Sequence, residues 1–159
     1  MQFKISKKEL LAPLRIINGI VGQRQILPIL SNTLVIIKDN KLQLIATDAE
    51  VEIACSLPSG AENNDDTRMD GEVTIPARKF FDICKSLPDN ANIEVNIDEN
   101  QATLKAGSSK FKLQTLPAED FPNTPELSKP IKFNISQQHF KNAISKTLFC
   151  VATNDVRYY

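Results

Sequence analysis

The chain has 159 residues, which allows one domain or one domain and part of a second. Its 19 basic and 19 acidic residues give a formal net charge of zero, which excludes a highly basic nucleic-acid-binding tail but not a protein with segregated charges. Apolar residues make up 42% of the sequence, so we expect a packed core. Neither a membrane span nor a secretory signal is predicted, and three widely spaced cysteines are typical of reduced, mostly buried thiols in a cytosolic protein.

A short alternating strand followed by an amphipathic helix occurs three times along the chain. The strands cover 3–6, 73–76 and 133–136, so the second and third copies are offset from the first by 70 and 130 residues. In each copy, apolar residues then recur at the spacing of one helical stripe. The stripes consist of Leu10, Leu14 and Ile17, then Phe80, Cys84 and Leu87, then Phe140, Ile144 and Leu148. Three helices are therefore predicted, with Ser6 and Ser136 as N-caps of the first and third.

Three predicted strands follow each of the first two helices. These strands repeat at an offset of 60 residues, so that the apolar positions of 35–53 correspond to those of 95–113. Asp39–Asn40 and Glu99–Asn100 occupy the same place in the two copies and are typical of hairpin turns. Each copy therefore reads β-α-β-β-β, and the predicted fold class is α+β.

The third copy is cut short. The two complete copies make a domain that ends near Leu127, within a stretch at 116–130 whose four prolines are typical of an interdomain linker. The predicted domains are therefore 1–127 and the beginning of a second domain at 128–159. Because a lone strand and helix cannot bury an apolar stripe, we expect the last thirty residues to be poorly supported.

The clustered acidic residues of the sequence are interpreted as structural rather than as a metal site. Asp48, Glu50 and Glu52 alternate along a predicted strand, as carboxylates of a hard-cation site would. A solvent-facing strand whose other face buries Val51 and Ile53 explains them more simply. The acidic run at 61–72 lacks periodicity and is interpreted as a long hairpin loop.

The inventory of catalytic residues is small. The one histidine, His139, lies on the polar side of the third predicted helix, with no partner at the spacing of a triad or a metal site. Cys84 lies on an apolar stripe, which favours core packing. Phosphate-loop and metalloprotease motifs are also absent from the sequence. The sequence therefore favours a binding protein over an enzyme, with no metal and no cofactor.

About ten extra residues separate the first helix from its next strand, compared with the second copy. They fall at 19–28 and include the polar run Gln23, Arg24 and Gln25. A passive surface loop and a functional projection both fit this pattern.

Charge is divided between helices and strands. The three predicted helices carry eight basic and two acidic residues, whereas the remainder carries eleven basic and seventeen acidic ones. If the helices share one face of a sheet, that face is basic and attracts polyphosphate. Ordinary solvated helix surface would give the same count, so both interpretations stay open.

Several longer strings resemble one family, the bacterial DNA polymerase III beta subunit, which is the sliding clamp of replication. The strings are Leu27–Leu30, Ile45–Asp48, Thr74–Cys84, Thr115–Pro122 and Asp155–Tyr159. The resemblance runs from Met1 to Tyr159 and implies the first clamp domain and the opening of the second, with the third domain absent. It implies a DNA-clamp fold, in which each domain has two β-α-β-β-β halves, an antiparallel sheet layer outside and two helices on the inner face.

The resemblance also implies a function. Two full-length chains would close head to tail into a ring around duplex DNA and tether the replicative polymerase for processive synthesis, without catalysis. The implied partners are double-stranded DNA, a second clamp subunit, the DNA polymerase III alpha subunit, the clamp loader delta subunit, and other clamp-binding polymerases and repair proteins. A cytoplasmic location without membrane or cofactor is implied. The alternative is a fragment that only self-associates, as an interaction module without DNA binding.

Individual residues gain expected roles in DNA binding by matching positions. Arg24, with Gln23 beside it, resembles a DNA-contacting arginine on a loop facing the hole. Asn154 stands at a DNA-contacting position that holds Gln in another clamp, and Tyr158 and Tyr159 match tyrosines near the path of DNA. The basic helix residues that are candidates for lining the hole are Lys7, Lys8, Arg15, Arg78, Lys79, Lys141 and Lys146.

Two further surfaces follow from the resemblance. Phe111 and Leu113 match apolar residues of the dimer interface, although core packing also fits Phe111. Lys79 and Lys110 match basic residues that pair with acids across the same interface. Arg157 matches one residue of the groove that receives peptide motifs of polymerases and the loader, and most of that groove would lie beyond Tyr159.

Overall fold

The computed structural model describes residues 1–22, 27–38, 41–58, 70–122 and 133–151. It divides the chain into two compact units, Met1–Thr124 and Pro125–Tyr159. The predicted turn at Asp39–Asn40 and most of the predicted loop at 61–72 lie outside the described residues. That the second unit begins a domain of the same kind stays a prediction.

The first unit contains the two complete repeats in the predicted order. The first repeat consists of β1 (Gln2–Ser6), α1 (Lys7–Ile20), β2 (Asn32–Lys38), β3 (Lys41–Thr47) and β4 (Glu52–Pro58). The second consists of β5 (Gly71–Pro76), α2 (Ala77–Ser86), β6 (Asn92–Asp98), β7 (Gln101–Ala106) and β8 (Ser109–Gln114). The predicted α+β class and the β-α-β-β-β order of each repeat are confirmed.

The two repeats exchange their first strands. One antiparallel sheet has the order β1-β6-β7-β8 and the other β4-β3-β2-β5, so each sheet contains the leading strand of the other repeat. In the first sheet Phe3 lies opposite Val95 and Ile5 opposite Ile93. Neither repeat is therefore an independent folding unit, because each sheet takes one of its outer strands from the other repeat.

One apolar core lies between the sheets and the two helices. Leu10, Leu14 and Ile17 of α1 and Phe80 and Cys84 of α2 belong to the same buried cluster. Both sheets contribute alternate residues, as expected for strands with one core-facing side. The strand residues of this cluster are Phe3, Ile5, Val35, Ile37, Leu42, Leu44, Ala46, Val73, Ile75, Ile93, Val95, Ala102, Leu104, Ala106 and Leu113.

A second, smaller cluster is separate from this core. It joins Ile29 and Leu30, from the 3-10 turn Pro28–Ser31, to Leu34 of β2 and to Phe121. Leu34 and Val35 are adjacent in β2 and belong to different clusters, so the strand packs on both of its faces. The apolar run of β2 therefore departs from alternation.

The two sheets meet at a short polar seam. Thr74 of β5 and Leu116 exchange backbone hydrogen bonds of 3.1 and 3.3 Å. The buried hydroxyl of Thr74 donates to the Leu116 carbonyl and accepts from the Asn32 side-chain amide, both at 2.9 Å. These bonds satisfy polar groups at the junction, which stabilises the contact between the sheets.

The predicted strand at Asp48–Glu52 is wrong at its beginning, since β4 begins only at Glu52. Asp48 starts a tight turn in which its Oδ1 accepts from the amides of Glu50 and Val51, at 3.0 and 2.8 Å. These bonds to the ionised carboxylate lower its pKa. Val51 was expected to face inward but is exposed, because the turn removes it from the strand.

The second unit contains α3 (Gln137–Thr147) and a 3-10 turn at Leu148–Cys150. The strand predicted at 133–136 does not form, because no neighbouring strand pairs with it in the described part of the chain. Cys150 is exposed rather than buried, whereas Cys84 is buried as expected. Of the helices in the described ranges, none has the length and apolar character needed to cross a membrane.

Candidate nucleic-acid interface

The helices of the first unit present basic residues on the side opposite the core. Lys8 and Arg15 of α1 are exposed, while the intervening Leu10 and Leu14 are fully buried. On α2 the exposed basic residues are Arg78, Lys79 and Lys85. The basic helix surface, defined by these five basic residues, is the first candidate for binding a polyanion.

The acidic residue in the first turn of α1 belongs to the N-terminal cap of the helix. Ser6 and Glu9 form a capping box, in which the Ser6 hydroxyl accepts from the Glu9 amide at 3.2 Å and the Glu9 carboxylate accepts from the Ser6 amide at 3.4 Å. The carboxylate also accepts from the Ser6 hydroxyl at 2.6 Å. Glu9 is thus bound at the helix N-terminus, where the helix dipole favours negative charge.

The beginning of α2 has the opposite character. Its N-cap is Pro76, which offers no side-chain bond, and its first turn contains no acidic residue. Arg78 and Lys79 lie in this turn, where the positive end of the helix dipole adds to their charge. Both were expected to bind DNA, and both are exposed on the basic helix surface.

Lys7 was among the candidates for lining the hole, and the structure gives it a different role. Its side chain is 7% exposed, and its Nζ donates to the carbonyls of Lys85 and Leu87 at the C-terminal end of α2. It also forms an ion pair of 2.9 Å with Asp89. Lys7 therefore caps α2 from the other repeat, and its charge is not available to a ligand.

The sequence contained a signal for this arrangement. Lys7 precedes Leu10 by three residues, so it begins the same stripe that buries Leu14 and Ile17. A lysine on a buried stripe requires internal acceptors. The hydrogen bond from Lys7 and its positive charge lower the pKa of Asp89, which keeps that carboxylate ionised.

A cavity of about 270 Å³ opens on this side of α1. It is lined by Lys7, Lys8, Leu11, Ala12, Arg15 and Asp89. The cavity combines two exposed cations, an apolar floor and one carboxylate. Sequence reasoning missed Leu11, Ala12 and Asp89, because neither helix positions beside the buried stripe nor a turn after a helix have a periodicity that marks them.

The residues expected at the dimer interface lie on β8. Lys110 is exposed, Phe111 is half-buried and Leu113 is buried in the core of the unit itself. β8 is an outer strand of its sheet. The other expected site residues lie outside the described part of the chain; they are Gln23, Arg24, Asn154, Arg157, Tyr158 and Tyr159.

Two other reactive side chains, Cys84 and His139, were considered in the sequence. Burial raises the pKa of the Cys84 thiol to about 12, so the thiol stays protonated in the core. His139 is exposed on α3, as predicted. Within the described ranges, no three His, Cys, Asp or Glu side chains are grouped as metal ligands.

Two interlocked β-α-β-β-β repeats, with two antiparallel sheets and two basic helices packed around one core, define an α+β protein of the DNA-clamp class. The family described as "DNA polymerase III beta subunit, N-terminal domain" matches residues 1–125. The chain belongs to this family.

Curated relatives that match along the whole chain belong to the same family. The beta sliding clamp of Pseudomonas aeruginosa is 43% identical over 159 residues, which are all of this chain and 42% of that protein. The beta sliding clamp of Escherichia coli strain K12 is 39% identical over the same length and is covered to 42%. The chain thus spans about two fifths of the length of the curated relatives it matches.

Solved structures give the same result. The crystal structure of the DNA polymerase III subunit beta from Pseudomonas aeruginosa superimposes with a TM-score of 0.91 at 41% identity, over all of this chain and 42% of that one. The Caulobacter crescentus pol III beta gives a TM-score of 0.90 at 30% identity, with all of this chain and 41% of the other covered. The predicted DNA-clamp fold is confirmed.

Proposed function

We propose that the chain is the N-terminal part of a DNA sliding clamp, which encircles duplex DNA and tethers the replicative polymerase without catalysing a reaction. The relatives named beta sliding clamp support this function. The observation that carries it is the basic helix surface, whose residues are exposed on α1 and α2 while the apolar stripes of the same helices are buried. Such a surface binds the phosphate backbone without reading bases.

The overall neutrality of the chain fits this role. A clamp holds DNA by enclosing it, so each local contact with phosphate needs to be only weak. Weak, sequence-independent contacts allow the protein to slide, and their affinity falls steeply with salt. The two helices of the first unit carry six basic and two acidic residues, whereas the rest of the chain carries thirteen basic and seventeen acidic ones. The helices therefore supply such contacts, while the remaining surface has no net attraction for DNA.

Specific DNA contacts are proposed by matching positions in the family. Arg24, with Gln23, would reach the DNA from the segment after α1, and Asn154, Tyr158 and Tyr159 would contact it from the second unit. Arg78 and Lys79 would add phosphate contacts from α2, where both are exposed.

The ring would be closed by a second copy of the full-length protein. Phe111 is the stronger interface candidate on β8, because it is only half-buried in this chain, whereas Leu113 already packs in the core. Lys79 and Lys110 are exposed and would pair with acidic residues of the partner. Arg157 would contribute to the groove that binds peptide motifs of the polymerase alpha subunit, the loader delta subunit and repair proteins.

Retention on circular DNA tests the proposed function. The intact protein that carries this chain is loaded onto a nicked circular plasmid by its loader and separated by gel filtration. We expect the protein to remain bound until the plasmid is linearised, and Arg24→Ala to lower the amount loaded. Lys38→Ala, which removes an exposed charge from β2, serves as the matched control. Equal loss from circular and linear DNA would contradict a clamp.

The alternative function, self-association without DNA binding, makes a different prediction. The half-buried Phe111 on an outer strand is the observation that favours it. Sedimentation of the 159-residue chain at several concentrations would show a dimer that Phe111→Ala dissociates. A monomer that binds duplex DNA at low salt would exclude this alternative.

A further inference from the structure

The cavity on α1 has an order of side chains that resembles the order of groups along a DNA strand. Lys8 and Arg15 are seven residues apart, or about 10 Å along the helix. Leu11 and Ala12 lie between them, each one turn from either cation, and line the same cavity of about 270 Å³. Along the helix, the cavity therefore presents a cation, an apolar surface and a second cation. A DNA strand presents a phosphate, a sugar and a second phosphate in the same order.

The charged side chains that line the cavity differ in whether they are free to bind a ligand. The side chains of Lys8 and Arg15 make no hydrogen bond or ion pair with another described residue, and both are exposed. Lys7 also lines the cavity, but its ammonium group is bonded to two carbonyls and to Asp89. Two cations therefore remain for a ligand, and the Asp89 carboxylate is the one negative charge among the lining residues.

Asp89 is held at this position. Its carboxylate accepts from Lys7 Nζ at 2.9 Å, while its side chain is otherwise fully exposed to solvent. The ionised state is favoured by that bond and by the lysine charge. A negative charge that lines the same cavity as two cations repels a phosphate that approaches them.

We propose that this cavity seats two adjacent phosphates and the intervening sugar of one DNA strand, with Lys8 and Arg15 on the phosphates and Leu11 and Ala12 under the sugar, and that Asp89 limits the strength of this contact. The inference rests on the proposed clamp function and adds a site and a control on affinity. A contact that is limited in strength suits a protein that must move along DNA.

Site-resolved titration tests the first part. Amide resonances of the isotope-labelled 159-residue chain are followed during addition of a 12-base-pair duplex at low salt. We expect the amides of Lys8, Leu11, Ala12 and Arg15 to shift together. Shifts confined to α2 would overturn the cavity while leaving the clamp function intact. A chain without shifts anywhere would also overturn the cavity, whereas the clamp function, which depends on enclosure of DNA by the intact protein, is tested separately by retention on circular DNA.

Two variants with the same change of net charge test the second part. Asp89→Asn removes the negative charge and keeps an oxygen that can accept from Lys7. Asp98→Asn is the matched control, because Asp98 is exposed at the far end of β6, about 20 Å along the strand from Asn92. At about 0.1 M salt a charge at such a distance is largely screened.

We expect Asp89→Asn to lower the dissociation constant for the duplex about threefold, the effect of removing one unit charge several ångströms from a phosphate in a watery environment. Asp98→Asn should change the constant much less. Equal effects of the two variants, or weaker binding by Asp89→Asn, would overturn the role of Asp89.

Discussion

The two units of the chain carry the same helical pattern and differ in what the pattern buries. Leu10, Leu14 and Ile17 of α1 are 0% exposed. The matching residues of the second unit, Phe140 and Ile144 of α3 and Leu148 directly after it, are 46 to 62% exposed. Both helices form, and both begin at a serine whose hydroxyl accepts a backbone amide.

The difference shows which part of the fold is local. Capping and apolar spacing are sufficient for each segment to be helical in the structure, because both act within a few residues. Burial depends on strands that are distant in sequence, since α1 packs against β1, β3 and β4 as well as α2. Most of the stability of a helix in a protein comes from such packing rather than from helix propensity.

The largest expected effect comes from the first position of this pattern, compared between α2 and α3. Phe80 is fully buried, and Phe80→Ala should lower the free energy of unfolding by about 3–5 kcal/mol. Its counterpart Phe140 is half exposed, and Phe140→Ala should change the free energy by less than about 0.5 kcal/mol. Urea unfolding followed by circular dichroism measures both. Similar losses for the two variants would mean that α3 is buried in solution.

Lys7 and Lys8 are adjacent lysines with separate roles, which a matched pair of variants distinguishes. Lys7→Met should destabilise the first unit by about 2 kcal/mol, because the carbonyls of Lys85 and Leu87 lose a charged donor. Lys8→Met should leave the stability unchanged and weaken binding to duplex DNA. Urea unfolding and fluorescence anisotropy measure the two effects. A stable Lys7→Met variant with weakened DNA binding would reverse the assignment.

The N-caps give a smaller difference. Ser6→Ala should cost about 1 kcal/mol, because the capping box supports a helix that is part of the cooperative core. Ser136→Ala removes a single 3.4 Å bond to the His139 amide, in a helix whose side chains are exposed. We expect the main unfolding transition to shift for the first variant only. A shift of equal size in both would place α3 in the same cooperative unit.

The smallest effect concerns pH. The pKa of Asp89 is lowered by Lys7, so the stabilisation from this pair is present above the unfolded pKa of about 3.9 and is lost as the pH falls through the lower folded value. The difference in unfolding midpoint between the parent chain and Asp89→Asn should therefore shrink below about pH 4. A difference that stayed constant down to pH 2 would show that the charge of Asp89 does not stabilise the fold.

Local features of the first unit were predictable from the sequence, and long-range ones were not. The strand-helix-strand order followed from periodicity, and Ser6 was found as an N-cap. The exchange of β1 and β5 between the repeats was missed, because periodicity within a strand does not identify its partner. Val51 was misplaced for a related reason, since the Asp48 turn adds residues without breaking the apolar pattern.

The candidate site was predictable only in part. The basic character of the helices was visible from composition, and the exposure of Arg78 and Lys79 agrees with it. Which cations are free was not visible, because the internal bonds of Lys7 depend on the C-terminal end of α2, about eighty residues away. The position of Asp89 depends on the same contact.

The proposed clamp role is tested most directly by asking which side of the first unit meets DNA. A photo-activated cross-linker is placed at Arg15, on the basic helix surface, or at Lys105, an exposed residue of β7, in the intact protein loaded on circular DNA. We predict strong cross-links to DNA from position 15 and few from position 105. Cross-links from position 105 alone, or equal yields from both, would contradict DNA binding by the helix side.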